Sequence, residues 1–156
     1  MLLIAISIYA IAMTIANLLV VQFGPSITPI NAFVLIGLDL ALRDWLHLRL
    51  KAWQMGTLIA ASGALTYLLN PAAGMIAIAS ALSFTAAAVV DWGVFFRLKG
   101  SWLKRANGSN IAGAAVDSVL FPTIAFGALM PHIVAMQFVA KVAGGGIWSW
   151  LLMRLR

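Results

Sequence analysis

From Ser118 to Ala140 the chain carries no Asp, Glu, Lys or Arg, and this run is bracketed by Asp117 at one end and Lys141 at the other. Several further apolar runs approach or exceed the ~20 residues that a helix needs to cross a bilayer. Of 156 residues, 63% are hydrophobic and 9% charged, with no Glu. A soluble domain carries about a quarter charged residues. The chain is therefore read as an integral membrane protein. A net charge of +6 would point to nucleic acid in a soluble protein, but the placement of the bases points to the membrane surface. Cysteine is absent, so disulfide and thiol chemistry are excluded.

Apolar runs and their punctuation predict an all-α bundle of six helices in one transmembrane domain spanning 1–156. The expected ranges are 2–22, 29–47, 53–69, 72–96, 109–129 and 131–153. Pro25, Pro29, Pro71 and Pro131 mark connections or helix starts, and Gly100 and Gly108 lie in the fourth connection. The first run lacks the basic leader and small-residue cleavage site of a signal peptide, so it is expected to be retained. Arg43, Arg49 and Lys51 flank the second connection; Arg97, Lys99, Lys104 and Arg105 flank the fourth; Arg154 and Arg156 end the chain. Six passes place nine of the ten bases on one side, together with both termini. The positive-inside rule makes that side cytoplasmic, which predicts a multi-pass protein of the inner (cytoplasmic) membrane. Trp45, Trp53, Trp92, Trp102, Trp148 and Trp150 map to the same side, as interfacial indoles do. Two inverted three-helix halves fit this pattern, with a faint echo between Asp39–Arg43 and Asp91–Arg97.

An ionisable group at bilayer depth costs several kcal/mol and is normally paired or faces a cavity. Asp117 lies seven residues beyond Asn110, ~10 Å into its helix. Lys141 lies ten residues beyond Pro131, ~15 Å from the opposite end. The last two helices are joined by a short turn and are expected to be antiparallel neighbours, so a carboxylate–ammonium pair is predicted near mid-depth. Asp39, ten residues beyond Pro29, is expected at a similar level, paired with Arg43 four residues on. A pair of apolar residues would serve a structural role equally well, so the retained charges favour a site.

Other residues fit a polar path. Asn110 shares a face with Asp117, and Gln137 shares one with Lys141. Phe121 stands one turn beyond Asp117, and Asn17, Asn31 and Gln137 lie towards the outer side. Pro122 leaves the Ser118 carbonyl without its helical donor and predicts a kink at the level of the charge. The "GGG" at 144–146 and the small residues Ala79, Ser83 and Ala87 are read as helix packing. Asp44 and Asp91 are expected to be solvated or paired near the basic ends, and His47 to be at the surface. No spacing matches a metal, P-loop or hydrolase motif. The expectation is no cofactor, no metal and no enzymatic activity.

The stretches "ANLLVVQFGPSITPINAFVLIGLDLALRD", "ALSFTAAAVVDWGVFFRLKG", "GSNIAGAAVDSVLFPTIAFG" and "FVAKVAGGGIW" resemble, in order, segments of the queuosine-precursor transporters, also called the VUT family. The matching positions are Asn17, Asp39, Arg43, Asp91, Arg97, Asp117 and Lys141. The chain departs from the pattern in its shorter connections and in Val116, where a small polar residue is expected. The resemblance implies a six-helix bundle similar to vitamin-uptake S-components. It also implies uptake of 7-deazaguanine bases, small planar purine-like solutes, for salvage into tRNA modification. Asp117 or Asp39 would accept the adjacent N–H donors of a guanine-like edge, an Asn or Gln would read its carbonyl, and Phe121 would stack on the ring. Expected partners are this substrate and the lipid bilayer, with no nucleic acid and with a homo-oligomer allowed. The alternatives are an S-component-like binding subunit for another vitamin or nucleobase, driven by separate ATPase subunits, a channel, or a structural membrane protein.

Overall fold

The computed structural model describes residues 1–154, which are helical apart from short connections and contain no strand. Six helices follow one another. We label them α1 (Leu2–Phe23), α2 (28–47), α3 (Ala52–Leu69), α4 (Gly74–Arg97), α5 (Trp102–Phe126) and α6 (Pro131–Arg154). Among the described residues, three stretches are long and apolar enough to cross a membrane: Leu2–His47, Pro71–Arg97 and Trp102–Phe126. The first is 46 residues long and contains both α1 and α2.

Local chemistry sets the boundaries. Gly24 ends α1 and Gly127 ends α5, both at positive φ (+67° and +69°), a conformation that costs a residue with a Cβ. Pro29, Pro71 and Pro131 stand in the first turns of their helical segments, where no N–H is needed. The start of α5 differs from the sequence expectation. It lies at Trp102, seven residues before 109, because Ser101 caps the helix by accepting from the Lys104 N–H. Lys104 and Arg105 therefore lie in its first turn rather than in a loop. Within α2 the residues Ala32–Ile36 form a π-helical turn between two α-helical pieces, a device often found where a helix lines a site.

Neighbouring helices pack in the order α1, α3, α4, α5, α6, α2 and back to α1, so the bundle closes as a ring. The most extensive contact is that of α4 with α5, where Gly113 lies against Ala87 and Asp91; both helices carry small buried residues, among them Ala79, Ser83 and Ala87 on α4 and Ser109, Gly113 and Ala114 on α5. A Cβ at Gly113 would stand 3.4 Å from the Ala87 carbonyl oxygen, so these backbones run close together. A second close approach joins α2 to α6 through Gly37, Gly144 and Gly145, and Trp148 Nε1 donates to the Val34 carbonyl beside it at 3.0 Å. Trp148→Phe removes that bond and should cost about 1 kcal/mol. Thermal unfolding in detergent should register this as a fall of about 2–4 °C; an unchanged midpoint would show the bond to be idle.

The polarity of the bundle is inverted relative to a soluble protein. Ile4, Ile8, Ile11 and Ile15 are exposed along α1, and large apolar side chains are exposed on every other helix. All four aspartates are buried, as are Arg43 and Lys141. Apolar packing of Tyr9, Met13, Leu42, Leu46, Met55 and Ile59 fills one part of the interior. An exterior of this kind suits hydrocarbon and would associate non-specifically in water. The connections at one end of the ring carry no charge, whereas those at the other hold Arg49, Lys51 and Lys99; we call these the uncharged end and the basic end.

Candidate functional site

Towards the uncharged end, five of the six helices surround a hollow of about 310 Å³. Its walls come from Asn17 on α1, Asn31 and Ile36 on α2, Ser80 and Phe84 on α4, Asp117 and Phe121 on α5, and Gln137 and Lys141 on α6. Most of this volume lies in crevices between side chains, and the space freely open in it suffices for about one water molecule. A larger solute enters only if the walls move apart. The π-helical turn of α2 supplies Ala32 and Ile36 to the wall, so α2 is an element whose displacement would enlarge it.

Lys141 organises the site. Its ammonium contacts Asp117 Oδ2 at 2.7 Å, donates to Gln137 Oε1 at 2.8 Å and donates to Ser118 Oγ at 3.2 Å. Three donors meet three acceptors, so the buried cation is fully satisfied. Two of those partners keep an unused atom: Asp117 Oδ1 and Gln137 Nε2 are buried with no hydrogen-bond partner. One is an acceptor and the other a donor, and both side chains are pinned by the same ammonium. An unpaired buried polar atom costs about 1–3 kcal/mol. A solute that brings a donor to one and an acceptor to the other would relieve both, in a hollow also lined by Phe84 and Phe121.

The structure gathers Asn17, Asp117, Phe121, Gln137 and Lys141 of the expected residues into this wall. Asn17 donates to Thr66 Oγ1 at 3.3 Å and accepts from Ser80 Oγ, tying α1 to α3 and α4. Asn31 donates to the Ala16 carbonyl at 2.9 Å. Pro122 lies inside an α5 that continues to Phe126, and Ser118, whose carbonyl it leaves free, binds Lys141 through its hydroxyl.

Two expected residues lie elsewhere. Asn110 is buried beside Gly145; seven residues along the helix put it on the face of Asp117 but ~10 Å towards the basic end. Asp39 is buried outside the hollow, and neither of its oxygens has a hydrogen-bond partner. It is not the ion-pair partner of Arg43. Arg43 Nε instead lies 3.5 Å from Asp91 Oδ2 on α4, because the guanidinium reaches across the ring rather than back along its own helix. Sequence spacing missed Ser80, Phe84, Thr28 and Ser118. Ser80 and Thr28 look like ordinary small helix residues, and only the neighbour of Asp117 carried a signal, through Pro122.

The basic end holds a second group that sequence spacing did not reveal. Of the two aspartates expected to be solvated or paired, Asp91 is paired with Arg43, and both are fully buried; the His47 side chain is 6% exposed rather than at the surface. One ligand-capable atom from each of Asp44, His47 and Asp91 lies within 4.8 Å of the others. Asp44 and His47 are three apart on α2 and share a face, whereas Asp91 comes from α4, a distance in sequence that no local motif spans.

The family model described as "Putative vitamin uptake transporter" matches residues 2–154. No curated protein and no solved structure matches the chain. The match covers all but the ends of the sequence, and what it describes, a carrier of small solutes, suits a ring of helices with an inward-facing polar hollow. This chain belongs to the vitamin uptake transporter family.

Proposed function

We propose that the protein takes up a 7-deazaguanine base, a queuosine precursor, through a single transmembrane unit of six passes with both termini on the cytoplasmic side of the inner membrane. The ring of six helices, the bases gathered at one end and the family's transport of small solutes support this reading. The observation that carries it is the free pair Asp117 Oδ1 and Gln137 Nε2 in one closed wall. A guanine-type edge offers an N–H donor beside a carbonyl acceptor, with an exocyclic amine next to the donor. Asp117 Oδ1 accepts from the ring N–H, Gln137 Nε2 donates to the carbonyl, and the flat bicycle lies against Phe121. Lys141 holds the other carboxylate oxygen at 2.7 Å. Asp39 and Asn110 line no part of the hollow, so they act on uptake only through the helices that carry them.

The test is direct binding and proteoliposome uptake with a panel of bases. The 7-cyano and 7-aminomethyl 7-deazaguanines should bind, and guanine should compete. Adenine, whose ring nitrogen is an acceptor at the position of the required donor, should be rejected by about 10⁴-fold, since its binding would bury unpaired polar groups. Adenine binding as tightly as guanine, or no binding by any guanine-type base, would overturn the reading.

A further inference from the structure

Asp117 is offset by Lys141, whereas Asp39, Asp44 and Asp91 gather around a single buried strong base, Arg43. Carboxyl groups at such depth need a proton, a cation or a hydrogen-bond donor to offset their desolvation.

We propose that Asp44, His47 and Asp91 form a binding site for one divalent cation. Two observations point to this site. One atom from each of the three residues falls within 4.8 Å of the others. In addition, Asp44 Oδ2, both oxygens of Asp91 and His47 Nδ1 make no hydrogen bond, although Asp44 and Asp91 are fully buried and the imidazole is 6% exposed; Asp91 Oδ2 has only the longer contacts with Arg43 Nε at 3.5 Å and His47 Nδ1 at 3.9 Å. Ligand atoms around a first-row metal lie about 2.0–2.2 Å from it and hence roughly 3–4 Å from one another.

One atom favours a metal over a proton. A proton shared between Asp44 and Asp91 would leave His47 Nδ1 unsatisfied, whereas an ion uses the imidazole as its third ligand. Arg43, whose Nε stands 3.5 Å from Asp91 Oδ2, shares that carboxylate with the ion. Ser109 Oγ, which donates to the Ala106 carbonyl at 3.1 Å, also lies 3.5 Å from Asp44 Oδ1, a polar neighbour from α5 beside that carboxylate. Two carboxylates and one imidazole suit manganese, iron, cobalt or zinc, and disfavour the all-oxygen coordination of calcium. A cleft of about 670 Å³ between α2, α3 and α4, walled by Met55, Ile59, Ala88 and Trp92, has His47 as its one ionisable wall residue and offers a way in. Bound there, the ion would tie α2, which lines the solute hollow, to α4.

The site stands independently of the solute reading and is tested without transport. Tag-free, full-length protein in detergent is stripped with a chelator and equilibrated separately with Mn²⁺, Co²⁺ and Zn²⁺. Metal per chain is counted by plasma mass spectrometry, and the Co²⁺ form is examined by visible absorption. One ion per chain is expected, with Co²⁺ bands of an N/O-ligated centre. His47→Gln, a near-isosteric change at the cleft wall, and Asp44→Asn should each weaken binding tenfold or more. Asp117→Asn, outside the cluster, should leave the stoichiometry at one. Wild-type protein that binds no metal, or binding unchanged in both His47→Gln and Asp44→Asn, would overturn the proposal.

Discussion

Asp117→Asn lowers the affinity for a 7-deazaguanine about 100-fold in a protein that still folds, measured by calorimetry in detergent. The carboxylate serves two partners at once. Oδ2 meets the Lys141 ammonium at 2.7 Å, and Oδ1 is the free acceptor. An amide of the same shape has one oxygen. In either orientation the neutral amide deprives Lys141 of its counter-ion; if the oxygen stays on Lys141, the amide N–H₂ confronts the N–H of the base, and if it turns to the base, the N–H₂ confronts the ammonium. A hydrogen bond to a charged group contributes about 1.5–3 kcal/mol, and 1.4 kcal/mol is tenfold in affinity. The companion variants separate a binding role from a purely structural one. Lys141→Met strands a buried carboxylate and should destabilise the fold by roughly 3–5 kcal/mol. Asp117→Leu combined with Lys141→Met replaces both charges by apolar groups and should restore stability to near wild type, without restoring binding. Wild-type binding by that double variant would reduce the pair to a device for registering helices.

Gly144→Ala should abolish the fold rather than trim its function. A Cβ at Gly144 would stand 2.1 Å from the Phe33 carbonyl oxygen and 2.9 Å from its carbon. A Cβ at the opposing Gly37 would meet the backbone of Gly144 at 2.7 Å. The obstructing atoms are main chain, so no side chain can rotate away and α2 must separate from α6. That movement begins one turn from Lys141 and runs through the π-helical turn that lines the hollow. Overpacking a well-fitted interior costs about 1–3 kcal/mol even where side chains can yield, and more here. Size-exclusion chromatography in detergent should show aggregate in place of a single species. Gly146→Ala is the control: its Cβ would be 3.8 Å from Asn107 Oδ1, an ordinary contact, and alanine favours a helix by up to about 1 kcal/mol. A monodisperse Gly144→Ala protein with an unchanged melting point would contradict the close backbone packing.

The helical, membrane-embedded character of the chain was legible because run length and hydropathy are properties of neighbouring residues. So was the meeting of Asp117 and Lys141, since a short turn between two helices fixes which levels face one another. Asn110 shows where that reasoning stops. Spacing places it correctly on the face of Asp117, yet the level of the hollow along that face is set by which side chains other helices bring to it. The start of α5 was misplaced because basic residues read as a loop, whereas lysine and arginine extend from a helical first turn into the surroundings.

Sequence alone therefore determined the class of structure and the one pair of charges joined by a tight connection. Only the tertiary structure decided that Arg43 answers Asp91 and not Asp39, that Asp44 and His47 face Asp91, and that Gly37 lies against Gly144. These pairings depend on how each helix is rotated and how far it is displaced along its neighbours. Closure of the ring sets those two quantities, and no spacing within a single helix contains them.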